Sequence, residues 1–220
     1  MLAGDDTFMF FVLHSNYRVA GLPGFAGRWI RATALPIAVT LMLVVGNRVQ
    51  AGNPSSQVKT NYYKVTGSTP HEIRHSIDEA RPWKMRQNVD AQTHWHIDWK
   101  FSSNSSGDLW RLKSFELAVQ ILIDFPIWDR PPDASDEVIA RWKAYIAALW
   151  KHENGHRAIA HTAAAEMQRR IARLRPATTQ QELRKGVDDI CRRVIDEFAQ
   201  QEVQYEKETH HGAGQGAVFP

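Results

Sequence analysis

His152-Glu153-Asn154-Gly155-His156 is the stretch from which the fold and function of this chain are best inferred. It matches the pattern His-Glu-x-x-His, in which two histidines four residues apart lie on one face of a helix, one turn apart. Both imidazoles can then reach one metal ion. The glutamate, about 100° around the helix, can contact a water molecule beside the ion without being a ligand itself. The stretch therefore predicts a helical metal site with Glu153 as the catalytic base.

The motif continues an apolar stripe along the predicted helix. The stripe consists of Trp142, Tyr145, Leu149, His152, His156, Ile159 and Ala163. This spacing is typical of a buried helix face, so both histidines are expected to face the protein interior. A histidine pair satisfied by neighbouring carbonyls and carboxylates is the alternative without a metal. A buried His-Glu-His cluster favours the metal site, because buried polar groups need partners.

Capping and proline signals predict two long helices in the C-terminal half. Ser135 and the two acidic residues after it predict the start of the motif helix, and Arg175-Pro176 predicts its end. The capping box Thr179-Gln180-Gln181-Glu182 predicts the start of a last helix that reaches about Glu206. Because the turn between them is short, the two helices are expected to be antiparallel neighbours.

Alternating apolar and polar residues predict strands upstream of these helices. Residues 93–101 and 115–123 alternate in this way around a Ser/Asn/Gly turn at 102–107, which predicts an antiparallel hairpin. A short strand at 62–65 and a helix that starts at Pro70 precede the hairpin. The expected fold class is α+β, with a small antiparallel sheet packed against the long motif helix and an antiparallel C-terminal helix.

Residues 1–51 are predicted to be a signal peptide or N-terminal targeting segment. Arg28 and Arg31 precede an apolar run at 32–45, which at about 14 residues is short of the roughly 20 that a membrane span needs. Small residues at Val49-Gln50-Ala51 predict cleavage after Ala51. An uncleaved anchor is the alternative. Residues 52–220 are expected to form one domain that is secreted or periplasmic, with no stable membrane span after cleavage.

Composition argues against nucleic acid as a partner. Residues 1–51 hold four of the 27 basic and two of the 24 acidic residues, so the remaining chain is nearly neutral. The sequence has no Gly-rich phosphate loop and no Lys/Arg block. Cys191 is the only cysteine, so an internal disulfide is excluded and a buried inert thiol is expected.

A third metal ligand is expected from the C-terminal end of the chain. A catalytic zinc usually has three protein ligands and one water molecule. The antiparallel helices bring the tail within reach of the motif, and His211 is the first choice because Gly212 lets the chain turn back. The alternatives, in order, are His210, then Glu202 or Glu197 of the facing helix, then His161. A solvated terminus is the other interpretation of the tail histidines.

The span from Tyr62 to Phe219 resembles the bacterial predicted secreted zinc-dependent proteases known as domain of unknown function 922. The similar segments are Tyr63-Lys64-Val65-Thr66-Gly67, Thr93-His94-Trp95, Phe125-Pro126-Ile127-Trp128, the motif at 152–156 and Tyr205-Glu206-Lys207-Glu208-Thr209-His210-His211-Gly212. The motif and the Thr-x-His-Gly tail are the specific parts. The resemblance implies metal-site roles for His152, Glu153, His156 and His211.

The expected function is that of a zinc-dependent metallopeptidase acting on a peptide or protein substrate. In this hypothesis His152, His156 and His211 hold Zn2+, and Glu153 transfers a proton from water to the leaving amine. Tyr205 is a candidate for stabilising the oxyanion. The alternatives are a non-catalytic envelope protein with a structural metal site and a binding module that uses the aromatic face of the sheet.

Overall fold

A computed structural model describes residues 12–13, 50–51, 53–83 and 89–219. The strands in these ranges are β1 (Val12–Leu13), β2 (Gln50–Ala51), β3 (Ser55–Val65), β4 (Gln92–Ser106) and β5 (Leu109–Trp128). The helices are α1 (Pro70–Ala80), α2 (Asp136–Ile171), α3 (Gln180–Thr209) and a short 3-10 helix (Ala213–Gln215). The predicted α+β class is confirmed.

The sheet is mixed rather than wholly antiparallel. Strands β4 and β5 form the predicted antiparallel hairpin, in which Thr93 lies opposite Ile123. Strand β3 pairs with the other side of β5 in parallel, from Ser55 opposite Ala118 to Val65 opposite Trp128. Strand β5 is therefore central, and β4 lies towards the opposite edge, where, among the residues that the structure describes, the two residues of β1 pair with it.

One face of the hairpin forms the core against α2 and α3. The side chains of Trp95, Ile97, Trp99 and Phe101 alternate with less buried residues along β4, and Phe115, Leu117, Val119, Ile121, Ile123 and Phe125 do so along β5. Burying each aliphatic or phenyl side chain stabilises the fold by about 1.5–3 kcal/mol. The alternation thus fixes which face of β4 lies next to the motif helix.

The two long helices follow their predicted capping signals. The Ser135 side chain accepts a hydrogen bond from the Val138 amide at the start of α2, and the Thr179 side chain accepts one from the Glu182 amide at the start of α3. The turn between the helices is held to the hairpin through two backbone hydrogen bonds between Trp110 and Ala177, at 2.7 and 3.0 Å. Cys191 lies in the buried face of α3, as expected.

The C-terminal tail folds back onto α2. His210 and His211 have φ of 50° and 54°, and Gly212 has φ of 82°, so three successive left-handed residues reverse the chain after α3. Phe219 is then buried, with its ring centroid 5.6 Å from that of Trp142 and 5.3 Å from that of Tyr145. The tail is therefore held at both ends beside the motif.

The predicted targeting segment, residues 1–51, lies outside the described residues except for β1 and β2. Export, cleavage after Ala51 and the alternative of an uncleaved anchor stay predictions. Within the described ranges, no helix has the length and apolar character needed to cross a membrane.

Candidate metal centre

His152 and His156 converge as their spacing on α2 predicts. Their Nε2 atoms lie 3.3 Å apart, and each residue is 4% exposed. Two imidazole nitrogens that meet in a buried position are a common half of a zinc-binding site.

Glu206 of α3 completes a group of three possible ligands. Its Oε2 lies 3.4 Å from His152 Nε2, and its Oε1 lies 3.5 Å from His156 Nε2. One ligand atom from each residue lies within 4.8 Å of the others, so the group can hold a metal ion. Burial opposes ionisation of Glu206, but the hydrogen bond from His152 and the charges of nearby histidines outweigh it and lower the pKa of Glu206.

Glu202, one turn earlier on α3, orients His156 through the ring nitrogen that does not face His152. Its Oε2 forms a hydrogen bond with Nδ1 of His156, and its Oε1 accepts one from Trp95 Nε1 at 2.8 Å. Burial disfavours the imidazolium form, but the hydrogen bond and charge of Glu202 outweigh burial and raise the pKa of His156. A carboxylate on the second nitrogen of a histidine is the usual support for a metal-binding imidazole.

Glu153 lies beside the three-residue group without belonging to it. It is 1% exposed, and its Oε2 accepts a hydrogen bond from Thr93 Oγ1 at 2.6 Å. Burial raises the pKa of Glu153 above its usual range, although the charge of His156 and the hydrogen bond from Thr93 lower it in part. Glu153 is thus a buried carboxylate whose orientation is set from the first residues of β4.

His211 lies next to Glu206 and outside the three-residue group. Its Nδ1 is 3.0 Å from Glu206 Oε2, and its side chain is 60% exposed. It also lines the same cleft as the two motif histidines. The tail therefore reaches the site as expected, while a ligand role for His211 stays a prediction.

The other candidates for the third metal ligand lie outside the group formed by His152, His156 and Glu206. Glu202 contacts His156 as described above, and His210 is the exposed C-cap residue of α3. Glu197 forms an ion pair with Arg170, with 2.8 Å between Oε1 and Nη1. None of these three residues, nor His161, belongs to the potential metal-binding group found in the described residues.

Glu206 was not predicted from the sequence as a possible ligand. The sequence signals predict that the last helix ends near this residue, which leaves the tail histidines as the nearest candidates. Helix α3 instead continues to Thr209. The signal was the four-residue spacing of Glu202 and Glu206, which places both carboxylates on one face of α3.

A cleft opens onto these residues between the start of β4 and the tail. It is lined by Val89, Asp90, Ala91, Gln92, Thr93, Leu149, His152, Glu153, His156, Glu206, His211 and Ala217. Asp90 fixes the strand side, because its carboxylate accepts hydrogen bonds from Arg74 at 2.7 Å and from the Tyr145 hydroxyl at 2.9 Å. The cleft thus has one wall from the sheet and one from the helices and tail.

Comparison with known proteins gives a family for the chain. The family model described as bacterial protein of unknown function (DUF922) matches residues 60–212. This match covers more than half of the chain and includes the three possible ligands, Glu153 and His211. Among curated proteins and among solved structures, none matches the chain. The chain therefore belongs to the DUF922 family of bacterial proteins of unknown function.

Proposed function

We propose that this protein is a zinc-dependent metallopeptidase that acts outside the cytoplasm. The observation that carries the proposal is the convergence of His152, His156 and Glu206 within 4.8 Å, with the Glu153 carboxylate in the same cleft but outside the group. Two histidines and one carboxylate are a ligand set of catalytic zinc sites, which leave one position for water or substrate.

The proposed ligands are His152, His156 and Glu206. Glu206 takes the place that the sequence analysis gave to His211, and His211 supports Glu206 through its hydrogen bond. A zinc ion held by these residues would act as a Lewis acid that polarises a carbonyl group and lowers the pKa of water. His152 and His156 are each 4% exposed and the Glu206 side chain is 20% exposed, so bulk solvent has limited access to the ligand atoms.

Glu153 is the proposed general base and then the general acid. Its carboxylate takes a proton from the attacking water and delivers it to the leaving amine. The hydrogen bond from Thr93 holds one carboxylate oxygen in place during both transfers. Because Glu153 is about 100° around the helix from His152, it can serve the reaction without binding the ion.

The strand wall of the cleft supports a peptide as the substrate. Residues 89–93 lead into β4, which lies towards an edge of the sheet. An extended peptide can add to a strand edge through its main-chain hydrogen-bonding groups. The proposed cellular location, outside the cytoplasm, rests on the targeting signals of residues 1–51. The protein would be secreted or periplasmic.

Metal content and proteolysis of the purified full chain test the proposal. The wild-type protein should bind about one zinc ion per chain and hydrolyse casein. Glu153→Gln should keep the zinc and lose the activity, since only the proton-transfer group changes. Glu137→Gln is the matched control, because Glu137 is an exposed residue of the same helix.

Two results would contradict the mechanism: an active Glu153→Gln variant, or a wild-type protein that is active without metal. The non-catalytic alternative predicts a different outcome. A structural zinc site would use four protein ligands, show no hydrolysis and lose its fold on chelation. The catalytic site should lose activity on chelation before it loses its fold.

A further inference from the structure

Gly155 leaves space in the motif helix for the side chain of Tyr205. A Cβ atom at position 155 would lie 2.0 Å from the Tyr205 hydroxyl oxygen and 2.2 Å from its Cζ. Gly155 lies inside α2, where glycine is less favourable than any other residue except proline. The close approach of Tyr205 explains why glycine occupies this position.

The Tyr205 ring contacts both motif histidines. It stacks on His152 with 5.2 Å between ring centroids and 13° between ring planes. It meets His156 edge to face, at 4.9 Å and 88°. The Tyr205 hydroxyl donates a hydrogen bond to the His152 carbonyl oxygen at 3.0 Å and accepts one from Gln215 Nε2 at 3.3 Å.

His152 lacks the support that His156 receives from Glu202. Among the described residues, Nδ1 of His152 is buried and has no hydrogen-bond partner. An imidazole that binds a metal normally has its other nitrogen held by a carboxylate, a carbonyl oxygen or water. Among the described residues, the contacts that orient the His152 ring are therefore not hydrogen bonds to Nδ1, and the stacked Tyr205 ring is one of them.

The tail supplies a second contact to the same imidazole. A Cβ atom at Gly212 would lie 3.1 Å from His152 Cγ and 3.0 Å from the Ala217 Cβ. The backbone of Gly212 thus packs closely against His152. The Gln215 hydrogen bond holds Tyr205 from the same tail segment.

We infer that Tyr205 is a positioning residue that orients the His152 imidazole by stacking, in the space that Gly155 provides. The inference rests on the proposed metal site, and it adds a residue that lies outside the possible metal-binding group and is not among the residues that line the cleft. The Tyr205 hydroxyl donates a hydrogen bond to the His152 carbonyl oxygen. The inference therefore gives Tyr205 an orienting role in place of the oxyanion role considered in the sequence analysis. The ring is the essential part, and the hydroxyl supports it.

The metal affinities of two Tyr205 variants show whether the Tyr205 ring orients His152 or only fills space in the core. Zn2+ affinity is measured by competition with a chelator, and Co2+ absorption spectra report the ligand geometry. Tyr205→Leu should weaken Zn2+ binding by about 10- to 100-fold, the range seen when support of a metal ligand is lost. Tyr205→Phe keeps the ring and should retain most of the Zn2+ affinity and the wild-type Co2+ spectrum. Tyr62→Leu is the control, since Tyr62 is 57% exposed.

Gly155→Ala tests the same contact from the other side. The added methyl group collides with the Tyr205 ring, so this variant should lose Zn2+ affinity to a similar extent. Combined with Tyr205→Leu, it should cause no further loss, because the ring is already absent. Equal losses from Gly155→Ala in both backgrounds would overturn the inference, as would unchanged affinity in Tyr205→Leu.

NMR of the imidazoles keeps the inference testable without metal. A stacked ring shifts the proton resonances of His152 by its ring current, so Tyr205→Leu should move them and Tyr205→Phe should leave them near their wild-type positions. If the wild-type chain bound no ion, the proposed function would fail and these resonances would decide the inference. Unmoved resonances in Tyr205→Leu would refute it, as would a failure of Tyr205→Phe to retain them.

Discussion

Thr93 Oγ1 donates a hydrogen bond to Glu153 Oε2 over 2.6 Å, and this contact joins the start of β4 to the motif helix α2. Thr93 is the second residue of β4, and its side chain points to the buried face. The position of the proposed base therefore depends on the register of a strand about 60 residues earlier in the chain.

Thr93→Val should lower kcat while leaving zinc bound. Valine has nearly the shape of threonine but cannot donate a hydrogen bond, so Glu153 loses a buried partner. Losing such a bond costs about 1–3 kcal/mol, which corresponds to roughly a 5- to 160-fold fall in rate if it is felt in the transition state. Peptidase kinetics and zinc content measure the two effects, with Thr162→Val on the exposed side of α2 as the control. A wild-type kcat in Thr93→Val would show that the contact does not position the base.

Glu202→Gln should weaken metal binding without removing a ligand. The carboxylate of Glu202 holds His156 through Nδ1 and is itself held by Trp95. Replacing it with a neutral amide should cost about 10- to 100-fold in Zn2+ affinity. Chelator competition measures the change. Glu208→Gln, at an exposed position of the same helix, should bind Zn2+ as the wild type does. Equal affinities for all three proteins would exclude a supporting role for Glu202.

Phe219→Ala should loosen the tail that packs against His152. The phenyl ring is 2% exposed and packs on Trp142 and Tyr145, and removing a buried phenyl group costs about 3–5 kcal/mol. Thermal unfolding should show the loss of stability, and limited proteolysis should cleave the segment that follows His210 faster than in the wild-type protein. Val218→Ala is the control, because Val218 is 57% exposed. A Phe219→Ala chain as stable and as resistant as the wild type would contradict this anchoring.

Local signals in the sequence predicted the helices better than the sheet. Ser135 and Thr179 mark helix starts through hydrogen bonds within a single turn, so their effect is readable from neighbouring residues. The parallel pairing of β3 with β5 depends on partners about 60 residues apart. Alternation of apolar residues shows that a segment is a strand and which face is buried, but it does not specify the neighbouring strand or its direction.

The difference between local signals and long-range contacts also decided which residues of the candidate metal site could be predicted. The spacing of His152 and His156 on one helix was enough to predict their convergence. The choice between Glu206 and His211 depends on the end of α3 and on the left-handed turn at His210 and His211, for which the sequence offered no proline and only the later Gly212 as a signal. Rotation and length of a facing helix are set by tertiary packing, so the residue that completes the possible metal-binding group with His152 and His156 was the least predictable part.

Paired variants of Glu206 and His211 should identify the third ligand. Because Glu206 lies 3.4 and 3.5 Å from the two motif nitrogens, Glu206→Ala should lose Zn2+ binding nearly completely. His211 contacts Glu206 from its exposed side, so His211→Ala should weaken binding by about tenfold, as expected for a residue that orients a ligand. Zinc content after dialysis and Co2+ spectra measure both variants, and His161→Ala is the control outside the group. Loss of zinc in His211→Ala with zinc retained in Glu206→Ala would instead make His211 the third ligand, and loss in both would indicate a four-ligand site and favour a structural role for the metal.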